Sequence, residues 1–299
     1  ANGDGVPKNT KTAVKWFTFA AERGDPIAQF DLGRIFLDGE GVPQNYKTAM
    51  EWLTLSAEQG HARAQNDLGA MYLHGQGVPQ DFKTAVKWWT LAAEQGHASA
   101  QYNLGLMYDK GDGVSQDYKT AVKWLTLAAE QGYVLAQYDL AFFFRNGLGV
   151  TQDHGIAMKW WTLAAEQGNV DAQSSLGAMH AQGLGTPKDS GTAMKWFTLA
   201  AEQGNADAQH NLGFLYANGL GVPQDFKTAV KWYTLAAEQG FASAQNNLGL
   251  MHHKGLGVPQ DYKTAVKWYT LAAEQGVAYA QHNLGFLYDD GLGVPQDYK

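Results

Sequence analysis

The sequence predicts an all-α solenoid: about eight helix–turn–helix repeats of 36 residues, each stacked on the next. Three observations lead there. A Trp stands at positions 16, 52, 88, 124, 160, 196, 232 and 268, eight times at a fixed spacing. Each unit carries two stretches whose apolar residues recur at helical spacing. The two stretches are joined by a connector with a Gly-x-Gly core, followed in most units by Val-Pro.

The second unit shows the elements in order. Ala64, Leu68, Met71 and Tyr72 fall at i, i+4, i+7 and i+8, on one face of a helix running from about Ala62 to His74, here termed helix A. Next comes Gly75 to Gln80, in which two glycines permit unusual backbone angles and Pro79 blocks continuation of the helix. Asp81 then offers a side-chain oxygen to the free amides of a new helix start. Asn9, Asn45, Asp117, Asp153, Asp189, Asp225, Asp261 and Asp297 are the equivalent N-caps. Helix B follows, with Ala85, Trp88, Trp89, Ala92 and Ala93 on its apolar face, and Gly96 closes it. The small residues let neighbouring backbones approach while the eight recurrent indoles are expected to fill the wider gaps. One pair of short helices cannot bury its faces alone, so each unit depends on its neighbours.

The period runs unbroken, so residues 1–299 read as a single array with no internal boundary. It opens inside a unit, ANGDGVPKN matching ANGLGVPQD at 217–225, and stops at Tyr298 and Lys299 where another helix B is due. The expectation is a fragment of a longer array. The last helix A, Val277 to Asp290, would then leave an apolar face open, and end-to-end self-association through it is expected to show as concentration-dependent sedimentation.

Hydrophobic residues make up 45% of the chain and charged residues 17%, enough for a core and unlike a disordered segment. A net charge of −7 opposes a phosphate backbone, so no nucleic-acid partner is expected. Apolar runs such as Ala141–Phe144 stay far short of the roughly 18 residues that span a bilayer, which argues against membrane insertion. The absence of Cys removes disulfides, thiolate metal sites and a Cys nucleophile.

The order A-x-x-A-Q-x-x-L-G-x-x-Y, then G-x-G-V-P-x-D, then K-T-A-x-K-W-x-x-x-A-A-E-Q-G resembles the Sel-one-like repeat, a relative of the tetratricopeptide repeat. The resemblance covers essentially the whole chain. It implies a right-handed superhelix of helix pairs with the A helices lining a concave side, and a role as a scaffold or adaptor in protein complexes. It also implies bacterial relatives that are often exported or envelope-associated; the sequence itself does not assign a compartment.

Motifs that could carry chemistry have plainer readings. The Gly-x-Gly loop recurs from Gly3 to Gly291 with no strand before it, so it is a connector rather than a phosphate cradle. Glu58 and its equivalents oppose the helix dipole, and a compensating hydrogen bond is expected. Gln65 and its equivalents are expected to satisfy backbone groups of a neighbouring turn. The nine His include no H-E-x-x-H, and the pair His252-His253 diverges on a helix, so no metal site, and no cofactor, is expected. Neither S-x-x-K nor G-x-S-x-G is present, and no enzymatic role is expected.

Positions that vary between repeats are free to serve a ligand. By analogy with the tetratricopeptide groove, the outward sites of helix A hold Phe30, Arg34, Tyr102, Leu106, Asp109, Lys110, Tyr138, Phe142, Arg145, Asn146, His210, Phe214, Asn246, Leu250, His282 and Phe286. Tyr102, Tyr138, Phe142 and Arg145 form the favoured cluster, because the repeat there departs from its siblings at Leu140-Ala141, Phe142 to Phe144, Thr151 and His154 to Ile156. Aromatics edged by Arg and Asn have the composition of an interface, so the leading expectation is a peptide or protein held by this face. The alternative is a cell-envelope glycan, peptidoglycan or oligosaccharide, stacked on the same rings.

Overall fold

The computed structural model describes residues 9–294; the Gly3 loop and the Asp297 cap lie outside them. Sixteen helices run in order among those residues: α1 Thr10–Ala21, α2 Pro26–Asp38, α3 Tyr46–Glu58, α4 Ala62–His74, α5 Phe82–Glu94, α6 Ala98–Lys110, α7 Tyr118–Glu130, α8 Val134–Asn146, α9 His154–Glu166, α10 Val170–Gln182, α11 Ser190–Glu202, α12 Ala206–Asn218, α13 Phe226–Glu238, α14 Ala242–Lys254, α15 Tyr262–Glu274 and α16 Ala278–Asp289. Odd-numbered helices are the B helices and even-numbered ones the A helices. The result is an all-α solenoid. Contacts group the helices into two compact units, residues 1–153 and 154–299, and within each unit every helix packs on the next.

Local chemistry sets the boundaries. At the start of α5, Asp81 Oδ1 accepts from the Lys83 and Thr84 amides at 3.0 and 3.2 Å, and Oδ2 accepts from the Thr84 hydroxyl at 2.7 Å. Those bonds hold its carboxyl below the usual carboxylate range. Gly75 ends α4 at φ 67°, a conformation that costs a residue without a Cβ little. The connector then closes on its own helix, Gln80 Nε2 donating to the Leu73 carbonyl at 2.7 Å and the Asp81 amide to the Tyr72 carbonyl at 3.0 Å. Gly77 is required for a second reason: a Cβ there would lie 2.9 Å from the Tyr46 backbone, so this loop rests directly on the preceding B helix.

Caps of the A helices are more varied. Asp25, Asn169 and Asn205 use side-chain oxygens, whereas in α4 and α6 the Ala64 and Ala100 amides donate to His61 and His97 Nδ1, both at 3.3 Å. A ring nitrogen that accepts must be unprotonated. Desolvation depresses both His pKa values, so their contribution is complete above the unfolded value of about 6.5 and is lost as pH falls through it toward the folded values. We expect urea midpoints to fall between pH 7.5 and 5.5, and the double substitution H61N/H97N, which copies the caps at Asn169 and Asn205, to flatten that slope. An unchanged slope would remove these two residues from the acid response.

The deepest core differs from the expectation. The recurrent Trp is half-buried, and Trp16 is 64% exposed. The next residue along is the one at the centre: Leu53, Trp89, Leu125, Trp161, Phe197, Tyr233 and Tyr269 are each at most 2% exposed. The helix-A glycine makes room for it. A Cβ on Gly69 would lie 2.5 Å from Trp89 Nε1, which donates to the Asn66 carbonyl at 3.1 Å. The recurrent indole instead spans a joint between repeats, Trp88, Trp124, Trp232 and Trp268 each packing against the core built by the preceding helix pair.

A buried amide ladder adds a polar joint. Gln65 Nε2 donates to the Ala57 carbonyl at 3.0 Å, and its Oε1 accepts from Gln95 Nε2 at 2.7 Å, thirty residues on. The same pair of bonds recurs at Gln29, Gln101, Gln173, Gln209 and Gln245. Each buried Gln is thereby satisfied on both ends, as buried amides require. The neighbouring Glu are exposed, and none of the described side-chain hydrogen bonds or ion pairs involves Glu58 or its equivalents. Solvent screens their opposition to the dipole, so the expected compensating bond is not needed.

Candidate partner-binding face

Two side-chain rows run along the A helices four residues apart, and four residues is one helical turn, so they share a face. The first row lies two residues before the core Leu and is largely consumed by the joint between repeats. Phe30 packs on His61 at 4.8 Å between ring centroids, Tyr102 on Tyr133 at 5.2 Å, and His210 on Phe241 at 5.2 Å. In each pair the partner is the residue that precedes the next A helix. His210 also contacts the Tyr233 ring and shares a 3.1 Å hydrogen bond with Asn247, and desolvation lowers its pKa. Tyr138 and Asn246 are half-buried in this row, Asn246 donating to Asn247 at 3.3 Å, while His282 is exposed and stands edge-on to Phe286 at 4.7 Å.

The second row is the open one. Phe142 is 46% exposed, Phe214 45% and Phe286 53%, and Leu106 and Leu250 are half-buried at the same position. Arg34 occupies this row in α2, bound to Asp38 at 2.9 Å and to Asp67 of the next A helix at 3.3 Å. These residues line a cleft of about 390 Å³ with Gln44 and Tyr46. Further along the helix, Asp109 and Arg145 are half-buried and Lys110 is exposed, and the exposed Asn146 donates to its own helix at the Phe142 carbonyl, 2.8 Å away. The Phe run in α8 divides by direction: Phe142 points out, while Phe143 is 3% exposed and meets Tyr118 edge-on at 6.1 Å.

A third row emerges only from the structure. The polar residue directly before the core Leu links successive A helices: Asp67 takes Arg34, Asn103 donates weakly to Asn66 at 3.5 Å, and Asp139 accepts from the Tyr102 hydroxyl. Burial raises the Asp67 and Asp139 pKa values, with Arg34 pulling back on Asp67. Burial, and then the Asp139 carboxylate, push the Tyr102 phenol well above its ordinary range. The signal was present in the sequence, since every repeat places Asp, Asn or Ser there. Among the described residues no group of three or more His, Cys, Asp or Glu is placed to hold a metal ion, and no helix is long and apolar enough to cross a membrane.

Helix pairs stacked through shared joints, with a varied side-chain face on one helix of each pair, define an α-helical repeat protein. The chain belongs to the Sel1 repeat family, whose model matches nine consecutive segments from 1–25 to 278–299. It is similar to c5321, a protective antigen of uropathogenic Escherichia coli strains with an SLR fold: 40% identity, TM-score 0.92, covering 95% of this chain and 61% of that one. It therefore spans about three fifths of that relative. A Sel1 repeat protein from Oxalobacter formigenes is 38% identical, with a TM-score of 0.74 and coverage of 94% and 82%. No curated protein matches the sequence.

Proposed function

We propose that this chain is a non-enzymatic scaffold that holds a peptide or protein segment against the A-helix face, with Phe142 as an anchor in the first compact unit and Phe214 in the second. One observation supports the reading above others: Phe142, Phe214 and Phe286 stand about half exposed at a helix-A position where other repeats carry Ala70, Ala178 or a half-buried Leu. Aromatic anchors flanked by polar groups are the usual energetic centre of such contacts. Arg145 and Asn146 flank Phe142, and Arg34 marks the polar end of the same row.

The double substitution Tyr138→Ala/Phe142→Ala should weaken a co-purifying protein partner by tenfold or more, read by titration calorimetry, with helical circular dichroism unchanged. An unaltered dissociation constant in the folded variant rejects the site. Binding of peptidoglycan fragments or oligosaccharides by the wild type, lost in the same variant, would replace the protein partner with a glycan.

A further inference from the structure

The first residue of a B helix is aromatic in α3, α5, α7, α13 and α15, as Tyr46, Phe82, Tyr118, Phe226 and Tyr262, and a Lys follows each one. In α11 those two positions are Ser190 and Gly191. The sibling rings have a defined seat. Tyr46 and the connector residue Val78 pack on one core cluster, Phe82 and Val114 on the next, and Phe226 and Val258 on a third. Val222 is the corresponding connector residue for α11, and there the ring is missing.

A space lies beside this position. An open cleft of about 660 Å³ lies at this point, lined by Gly191, Met194, Leu199, Tyr216 and Val222, with Lys195 at its edge. That volume is in the range of ligand-binding clefts. The cleft also includes Gly221, where a Cβ would lie 2.8 Å from the Ser190 carbonyl, so it opens beside the position of the missing ring. Leu199 is 46% exposed, and none of the described ion pairs involves Lys195.

We propose that this cleft receives an aromatic side chain from a partner polypeptide, with an acidic residue beside it that pairs with Lys195. The chain's own repeats define the occupant: five of them fill the equivalent seat with a Phe or Tyr ring carried on a polypeptide. The surroundings are apolar, which suits a ring, and the free ammonium at the edge selects for a carboxylate. The site is formed by α11 and the connector after α12, away from the Phe142 row, and stands or falls independently of the A-helix reading.

The blocked dipeptide acetyl-Asp-Phe-amide serves as the probe, with acetyl-Asp-Ala-amide and acetyl-Asn-Phe-amide as controls, in a methyl-detected NMR titration of the whole chain. Saturable shifts are expected at Met194, Leu199 and Val222 with the Phe peptide, none with the Ala peptide, and at least threefold weaker binding of the Asn peptide. Ser190→Phe, which restores the sibling ring, should raise the melting temperature and abolish the response. Leu199→Asp, at an exposed position, should abolish it without filling the cleft. Lys195→Gln should erase the Asp over Asn preference. The proposal is overturned if the Phe and Ala peptides shift the same methyls alike, if neither does, or if Ser190→Phe and Leu199→Asp respond as the wild type.

Discussion

Trp89→Ala is expected to destabilise the chain by about 3–5 kcal/mol, and Trp88→Ala by less than half of that. The two residues are adjacent and chemically identical, so the contrast isolates position. Trp89 is 2% exposed, lies over Gly69 and donates its indole N–H to the Asn66 carbonyl. Its removal opens a cavity between α4 and α5 that the flanking helices, tied at one end by the Gln ladder, can only partly close. Trp88 is half-buried and packs one side against the preceding core, so its loss exposes surface more than it creates a void. Urea unfolding followed by circular dichroism, with the transition slopes compared, measures both. Equal losses would mean that the recurrent indole carries the core as much as its neighbour does.

That contrast also shows what the sequence made legible. Period, helix boundaries, Asx caps and connector glycines could be read because each rests on chemistry within a few residues, repeated in every unit. The Gln role was readable for the same reason: a buried amide in every repeat needs partners in every repeat. The core position was not. Invariance at Trp52, Trp88 and Trp124 marks the contact that repeats share with their neighbours, whereas the central position varies among Leu, Trp, Phe and Tyr and looks tolerant. It tolerates variety because the facing Gly leaves a hollow that differently shaped side chains can fill. On the candidate face, the choice of the Phe142 and Phe214 row rested on the analogy with the tetratricopeptide groove. The joints made by Phe30, Tyr102 and His210 were not legible, because their partners lie 31 residues on and belong to helix caps, one of them a His that sequence preferences do not single out.

Gly213→Val is expected to cost about 3 kcal/mol, at the upper end for overpacking, while Gly285→Ala should gain about 0.5–1 kcal/mol. Both glycines occupy the same place in an A helix, so their intrinsic helix penalty is the same. Their surroundings are not. A Cβ at Gly213 would lie 2.8 to 3.1 Å from three atoms of the Tyr233 ring, which is 1% exposed and has no free volume into which to turn. No helix B faces Gly285 among the described residues and a Cβ there meets nothing within 4 Å, so in this chain Ala removes backbone freedom from the unfolded state without a collision. A Leu in the seat would not relieve the collision, since Leu53 and Leu125 lie only 2.6 and 2.9 Å from a Cβ built on Gly33 and Gly105. Tyr233→Ala removes the ring itself, so the double variant should lose at least about 1 kcal/mol less than the two single losses added together, a coupling of the size seen between residues in contact. Melting temperatures of the single and double variants decide the matter: a neutral Gly213→Val, or a double variant whose losses simply add, would show that the helix-A glycine is not what sets the distance between α12 and α13.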